Sequence, residues 1–426
     1  MAKKRVLIVT YYWPPSGGGG VQRWLKFAKL LPEWGWEPVI VTPSNPDVPV
    51  TDASLNDEIQ PNTLVWAYQV HEPTRWLRAI GLGGASSSRL GAGGRKGVTW
   101  FTKCVHWFRG NLFVPDARIG WVRPTARKVL RDLKEHPVDL IVSTGPPHSM
   151  HLLGLRLKQA TGLPWVADFR DPWSTMDYLN EFHLTSITRK RIQSMERDVI
   201  QTADRLLVTS PGALQELGVL KPSKGLVLPN GWDKDDFPVP APSPTLHDGK
   251  PVMGHFGALY GARNPKSLWP LLAQTGWHLR MGGQVTEDVK QDILSSGVSV
   301  EWLGDLPHKQ AVRAMHGCHA LLVAHNNSSS AKASTPGKVF ECLATGRPLL
   351  VIGPEGSDLE ARCVSWGKPF FAHSSPTLED NLNDWLQKHR ESGIQNVSPT
   401  EVSLEFERHA IAAELAEMFG ALLSES

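Results

Sequence analysis

Four successive glycines, Gly17 to Gly20, stand in PPSGGGGVQRW between an apolar run and a helical pattern. Glycine lets the main chain come close to a ligand, and the free N–H groups at a helix start behind it attract phosphate or carboxylate. Gly18, Gly19 and Gly20 are therefore candidates for holding an anionic ligand. A tight strand-to-helix turn is the plain structural reading of the same residues. The spacing fits neither common phosphate-binding fingerprint: the sixth position from Gly17 is Gln22, no acid closes the second strand, and no Lys-Ser/Thr pair follows.

A second polar loop, SSSAKASTPGKVFECLATG over 328–346, runs into a helical pattern. Ser334, Thr335 and Gly337 would offer hydroxyl and main-chain donors to a diphosphate, and Lys338 a cation. Glu341, one turn in, would accept from a ribose diol. Alternatively Glu341 is solvated and Lys338 pairs with a neighbour along the helix. In the first half, His148 in STGPPHSMH and Asp168, Arg170 and Asp171 in VADFRDPW fall at the ends of apolar runs. His148, Asp168 and Arg170 are candidates for contacting a ligand at the strand ends, and pairing of Arg170 with either aspartate is the competing reading. Asp233-Lys234-Asp235 has the Asp-x-Asp form that holds a divalent ion on a diphosphate, but its proline-rich setting counts against a metal there.

The elements that would position these residues follow from the apolar pattern. Uninterrupted runs, VLIVT (6–10), PVIVT (38–42), LIVST (140–144), WVADF (165–169) and RLLVTS (205–210), read as parallel strands covered on both faces. Val21, Trp24, Leu25, Ala28 and Leu31 put one stripe on a helix directly after the glycines. Seven prolines from Pro222 to Pro251 mark a linker. The alternation then restarts at 251–257, 278–283, 298–304, 320–325 and 348–353. The expectation is an α/β chain with an N-terminal Rossmann-like domain over 1–235, a linker over 236–250, and a second such domain over 251–400. A terminal helix over 401–426 carries Leu404, Phe406, Ala410, Ala413, Ala416 and Phe419 on one stripe. Two such domains in tandem would place a ligand between them, at the carboxyl ends of both sheets.

Composition bounds the rest. The 426 residues carry 45 Lys plus Arg against 42 Asp plus Glu, a balance too even for wholesale nucleic-acid binding. With 41% hydrophobic residues there is ample material for two packed cores, which excludes disorder over most of the length. The four cysteines form no Cys-x-x-Cys pair, so neither a zinc site nor a disulfide framework is indicated, and a cytoplasmic location fits. The basic and apolar start stops at Pro14-Pro15 without a cleavage pattern, so it reads as a first strand rather than a leader.

Three separated segments, VLIVTYYWPPSGGGGVQRWLKFAKLLPEWGWEPVIVT, LPNGWDKDDF (228–237) and KVFECLATGRPLLV (338–351), resemble in this order the family-four retaining glycosyltransferases of the GT-B fold. The resemblance implies two doubly wound Rossmann-like domains facing a cleft, with the terminal helix packing across. It implies sugar transfer from a nucleotide diphosphate-sugar to a hydroxyl acceptor with retention, through electrostatic stabilisation of the departing diphosphate and without metal or other cofactor. In that family a Glu-x7-Glu motif flanks the donor. Its second Glu matches Glu341, whereas the first position here is Ala333. The two cations that grip the diphosphate fall at Ala258 and Arg263 of GALYGARNPK, which leaves Arg263 as the main cation with Lys266 and Lys338 beside it. The loop whose main chain reads the nucleotide base falls at Gly304, Asp305 and Leu306.

From Arg89 to Arg131 there are ten Lys or Arg and one acid, Asp116, interleaved with Trp100, Phe101, Trp107, Phe108, Phe113 and Trp121. This window, with Arg95, Lys96, Lys103 and Arg109, suits a segment lying on an anionic bilayer, and an internal helix with solvated cations explains it equally. The expected partners are thus a nucleotide-sugar donor and a lipid-linked or surface-glycan acceptor, on the inner face of the cell membrane, with no nucleic acid. A nonhydrolysing nucleotide-sugar epimerase and a noncatalytic nucleotide-sugar binding protein are the other readings, the latter suggested by Ala258 and Ala333.

Overall fold

The computed structural model describes residues 3–48, 51–70, 100–176, 179, 182–219, 221, 223–391 and 401–425. Among these the chain forms two compact units. One takes in the residues up to 229 together with 411–425, and the other takes in 230–410. The boundary thus falls between 229 and 230, ahead of the expected linker over 236–250, and that segment packs as part of the second unit: Arg347 donates from a terminal guanidinium nitrogen to the Pro242 carbonyl at 3.2 Å.

The first unit is built on seven parallel strands, β1 (Lys4–Val9), β2 (Trp36–Pro43), β3 (Leu64–Tyr68), β4 (Leu140–Gly145), β5 (Trp165–Phe169), β6 (Arg205–Val208) and β7 (Gly225–Val227), in the order β3-β2-β1-β4-β5-β6-β7. Register is set by the apolar runs, Leu7 lying between Val39 and Ile141. Because β1 is flanked by β2 on one side and β4 on the other, the chain winds both ways from β1. The carboxyl ends of β1 and β4 therefore border a topological switch point, where open α/β sheets take ligands. The predicted stripe of the first helix, Gly19–Leu30, is buried as expected, and so are Gln22, Arg23 and Lys26. That helix is enclosed on nearly every side.

The second unit repeats the scheme with six parallel strands, β8 (Val252–Phe256), β9 (His278–Gly282), β10 (Ser299–Gly304), β11 (Ala320–Ala324), β12 (Leu349–Gly353) and β13 (Phe370–Ala372), in the order β10-β9-β8-β11-β12-β13. Its switch point lies between β8 and β11. Leu259, Trp269, Leu279 and Leu322 fill one face of this sheet, and Phe256, Leu321, Phe340 and Val351 the other.

The C-terminal run is broken. Glu401–Leu404 and Arg408–Glu425 are separate helices. The break places Phe406 against Phe340 and Trp366 in the second unit, and it shifts the stripe. Ile411, Leu415, Phe419 and Leu422, rather than Ala410 and Ala413, join Val6, Ile8 and Trp36 in the core of the first unit. Leu404 is left exposed.

Candidate functional site

In the second unit the helix Lys338–Ala344 starts from the polar loop after β11, and its first turn carries both Lys338 and Glu341. Lys338 Nζ lies 2.7 Å from Glu341 Oε2, one helical turn away. His308 Nε2 approaches the same carboxylate at 3.6 Å and Asp236 at 3.3 Å. Burial works against ionising Glu341, yet Lys338 and His308 outweigh it and hold its pKa below the usual carboxylate range. The result is an ionised carboxylate fixed in an almost water-free place, with Lys338 also held charged by Glu341. His308 and Asp236 could not be found by spacing, since they lie 33 and 105 positions before Glu341 and only the fold unites them.

Arg263 sits in the loop after β8. Its Nε donates to Asn326 Oδ1 at 2.7 Å, a terminal nitrogen reaches the Ala258 carbonyl at 3.3 Å, and the guanidinium lies 4.6 Å over the Tyr260 ring. Tyr260 donates its hydroxyl to the same Asn326 oxygen. The planar cation is thus propped by a ring and an amide, with donors to spare for phosphate oxygens. Lys266 is drawn away to Asp292 at 3.1 Å on the surface.

Around these groups stand three buried polar atoms with no hydrogen-bond partner among the described residues: His255 Nε2, His325 Nδ1 and Thr335 Oγ1. His255 uses Nδ1 on the Leu322 carbonyl. His325 uses Nε2 on the Ala331 carbonyl and on Ser334 Oγ, both at 3.0 Å, which engages the Ser334 side chain. Burial pushes both imidazoles down to about 4, with the Arg263 charge adding to the shift, so both are neutral near pH 7. Ala333 is buried and places no carboxylate here. Gly337 lies beside Asn230.

The loop after β10 turns at Gly304, whose φ is 65°. Its carbonyl accepts from Gly283 N at 2.6 Å, and Asp305 accepts from Gln284 Nε2 at 3.0 Å. A side chain at Gly283 would stand 2.6 Å from the Gly257 carbonyl, so the loops after β8, β9 and β10 are drawn together by glycine. Leu306 packs beside this junction against the core cluster that holds Phe256.

Asp233 accepts from the Asp235 main-chain N–H at 2.9 Å and caps the short turn Lys234–Asp236. The Asp-x-Asp sequence is thus used locally as a turn cap. Trp232 beside it binds Ser403 and Phe406 of the last segment of this unit.

In the first unit the helix Gly19–Leu30 begins at Gly18, whose φ of 88° suits glycine, and no side chain caps it. Gly20 is crowded by Arg170: a side chain there would meet the guanidinium at 3.0 Å. Arg170 donates to three carbonyls, Gly145 at 3.1 Å, Gly20 at 3.0 Å and Pro146 at 2.5 Å. It therefore ties the glycine turn to the loop after β4, and these main-chain bonds, rather than a carboxylate pair, occupy its donors.

Asp168, fully buried, accepts from Arg23 at 3.1 Å, Trp24 Nε1 at 2.7 Å and Thr144 at 2.8 Å. Its carboxylate is committed inside the unit.

His148 differs. It stacks on Trp173 with centroids 5.0 Å apart, is almost buried, and neither ring nitrogen has a partner among the described residues. Burial first, then the neighbouring His151 and Arg170, keep it neutral, well below its ordinary pKa. Trp173 Nε1 and His151 Nε2 are likewise unpartnered and buried. His151 is held by Ser143 at 3.0 Å.

Of the basic aromatic window, Arg95 and Lys96 lie outside the described residues, as do the side chains of Trp100 and Lys103. Trp107 is exposed on the helix Trp100–Leu112, and Arg109 lies 5.7 Å over the Phe182 ring. Among the described residues no helix is long and apolar enough to cross a membrane.

Residues 18–231 match the family model for a glycosyl transferase 4-like domain. Several solved structures are similar over the whole chain. A sucrose-phosphate synthase from Thermosynechococcus elongatus aligns with a TM-score of 0.64 and 14% identity, covering 100% of both chains. HepE from Anabaena, solved in complex with UDP and glucose, gives 0.61 and 14% over 98% of this chain and 100% of that one. The lipopolysaccharide outer core galactosyltransferase WaaB gives 0.57 and 13% over 98% and 99%. No curated protein matches the chain by sequence.

Proposed function

This chain belongs to the glycosyl transferase 4-like family, with the GT-B architecture of its structural neighbours, and we propose that it moves a sugar from a nucleotide diphosphate-sugar to a hydroxyl of a lipid-linked or surface-glycan acceptor, with retention and without a metal. The observation that carries the reading is the ionised, buried Glu341 between Lys338 and His308, on the helix that follows β11. A carboxylate so placed accepts both hydroxyls of a ribose, a diol that no neutral side chain binds as strongly.

Arg263 and Lys338 bind the diphosphate and stabilise the charge that builds on it as the glycosidic bond breaks. Thr335 and Gly337 supply donors from the polar loop, which Ser334 braces from within, and the turn at Gly304, Asp305 and Leu306 reads the base. His255 Nε2 and His325 Nδ1, both buried and unpartnered, are acceptors for sugar hydroxyls. The place that the family reading gives to the first Glu, Ala333 here, is thereby served by neutral imidazoles, while Arg263 and Lys338 supply the positive charge that Ala258 does not. In the first unit Gly18, Gly19 and Gly20 form an anion-binding turn. Neutral His148, backed by Trp173, is an acceptor-positioning group, with Asp168 and Arg170 shaping the loops around it. Residence on the inner face of the cell membrane accords with a lipid-linked acceptor.

The test is a thermal-shift screen of nucleoside diphosphates and their sugars on the full chain, with and without EDTA. A ligand that binds only the native state raises its melting point. A rise with one nucleotide family that survives EDTA supports the reading. A rise that needs a divalent ion removes its metal-free part, and no rise with any nucleotide removes the donor assignment. Donor turnover without any acceptor would instead favour the epimerase.

A further inference from the structure

Among the described residues of the first unit six large apolar side chains are exposed, and four of them fall on two neighbouring helices. Trp107, Phe108 and Leu112 are 39%, 54% and 63% exposed on Trp100–Leu112, and Ile187 is 79% exposed at the start of Ser186–Thr202. Asn111 joins the two helices, its Oδ1 accepting from Thr185 N at 2.9 Å and from Thr188 Oγ1 at 2.8 Å. A side chain at Gly110 would stand 2.6 Å from Phe182, and His106 and Arg109 lie against the same ring. The last turn of one helix and the first turn of the other thus form a single surface.

Among the described residues the two helix ends carry charge of one sign. Trp100–Leu112 contains no acid, and the segment from Ile187 to Met195 contains Arg189, Lys190 and Arg191 and no acid. Lys190 and Arg191 are exposed, one turn along the helix from Ile187. The lone acid of the basic window, Asp116, is turned inward, where it accepts from the main-chain N–H and the hydroxyl of Ser149. A protein partner would be expected to meet Trp, Phe, Leu and Ile with an apolar surface of its own. The cations among them instead fit a layer that is apolar within and negative at its rim.

We propose that this two-helix surface docks on anionic lipid headgroups, with Trp107, Phe108, Leu112 and Ile187 entering the interface and Lys190 and Arg191 pairing with phosphate. The proposal deepens the lipid-linked reading of the acceptor, and it extends the surface to a helix outside the basic window. Its test needs no turnover, so its failure and that of the transferase reading are separately visible.

The full chain is floated with vesicles of phosphatidylcholine alone or with phosphatidylglycerol as a major component. The expected result is binding to the anionic vesicles only, reduced in about 1 M NaCl, where charges are screened beyond ~3 Å. Ile187→Glu lowers the partition coefficient at least about tenfold, since it puts a charge where a large apolar side chain would enter the bilayer. Lys190→Glu with Arg191→Glu does the same, and circular dichroism verifies the fold. Trp107→Glu with Phe108→Glu is the second pair. Equal binding to both vesicle types overturns the proposal. So does loss of binding by the second pair alone with the Ile187, Lys190 and Arg191 variants unaffected. Absence of vesicle binding together with a dimer that the Trp107 and Phe108 variants dissociate would assign the surface to a second copy of the chain.

Discussion

Glu341 and Arg170 show how two charged side chains in one chain reach opposite uses. Glu341 has a cation on one side and an imidazole on another, and its burial makes any change of partner costly. If it holds the ribose, Glu341→Ala lowers nucleoside diphosphate affinity by about 1–3 kcal/mol, roughly 5- to 150-fold, in calorimetric titration. Unchanged affinity in a folded variant removes it from that role. Arg170 spends its donors on three carbonyls of two loops. Lysine keeps the charge but not the fork, so Arg170→Lys is expected to lower the melting temperature through the loss of bonds worth about 1.5–3 kcal/mol each. An unchanged melting point with a raised KM would mean that it serves the substrate directly. The competition between pairing and ligand binding at Lys338 was visible in the sequence as an i, i+3 spacing. The partners of Arg170 and Asp168 were not, because a carbonyl carries no residue identity and Arg23 lies 145 positions from Asp168.

At the scale of elements, every apolar run named as a strand is present, while β3, β7 and β13 are not among those runs. All three are sheet edges. An edge strand has a neighbour on one side only and less cover, and Leu64 and Val65 of β3 are in fact exposed. β7 and β13 are only three residues long, too short to stand out as runs, whereas β3 is itself an unbroken apolar run, Leu64–Tyr68, despite its exposed face. The terminal helix was legible in existence but not in phase, because the break between Leu404 and Arg408 sends Phe406 to one core and Phe419 to the other. Phe419 meets Trp36 edge-on at 5.1 Å and has no exposed surface. Phe419→Ala is therefore expected to destabilise the first unit by about 3–5 kcal/mol, the range for deleting a buried aromatic. Chemical denaturation followed by Trp fluorescence checks this, and a change below about 1 kcal/mol would mean that the terminal helix is a dispensable appendage.

The whole molecule carries buried histidines in both units, and their shared direction of shift gives it a pH dependence. Burial depresses His151 to about 3 and His255, His316 and His325 to about 4, so the fold keeps these rings neutral. In the unfolded chain each binds a proton near its ordinary pKa of about 6.5. Below that value the unfolded state holds more protons than the native one, so stability falls as pH falls. Each ring contributes up to about 1.4 kcal/mol per pH unit until its folded pKa is reached. Glu341 acts in the same direction at lower pH, since its depressed pKa contributes stability that is lost as the carboxylate is protonated. Asp171, whose pKa burial raises, works in the opposite sense, and only below its raised value. The expected outcome is a melting temperature that drops steadily from pH 7 to pH 5 in buffers of constant ionic strength. His325→Gln and His255→Gln should each flatten that slope, because glutamine keeps a polar group in place without titrating. A flat profile between pH 7 and 5 would mean that these rings are hydrated and protonate in the native state, and with that the neutral acceptors assigned to the donor sugar would be lost.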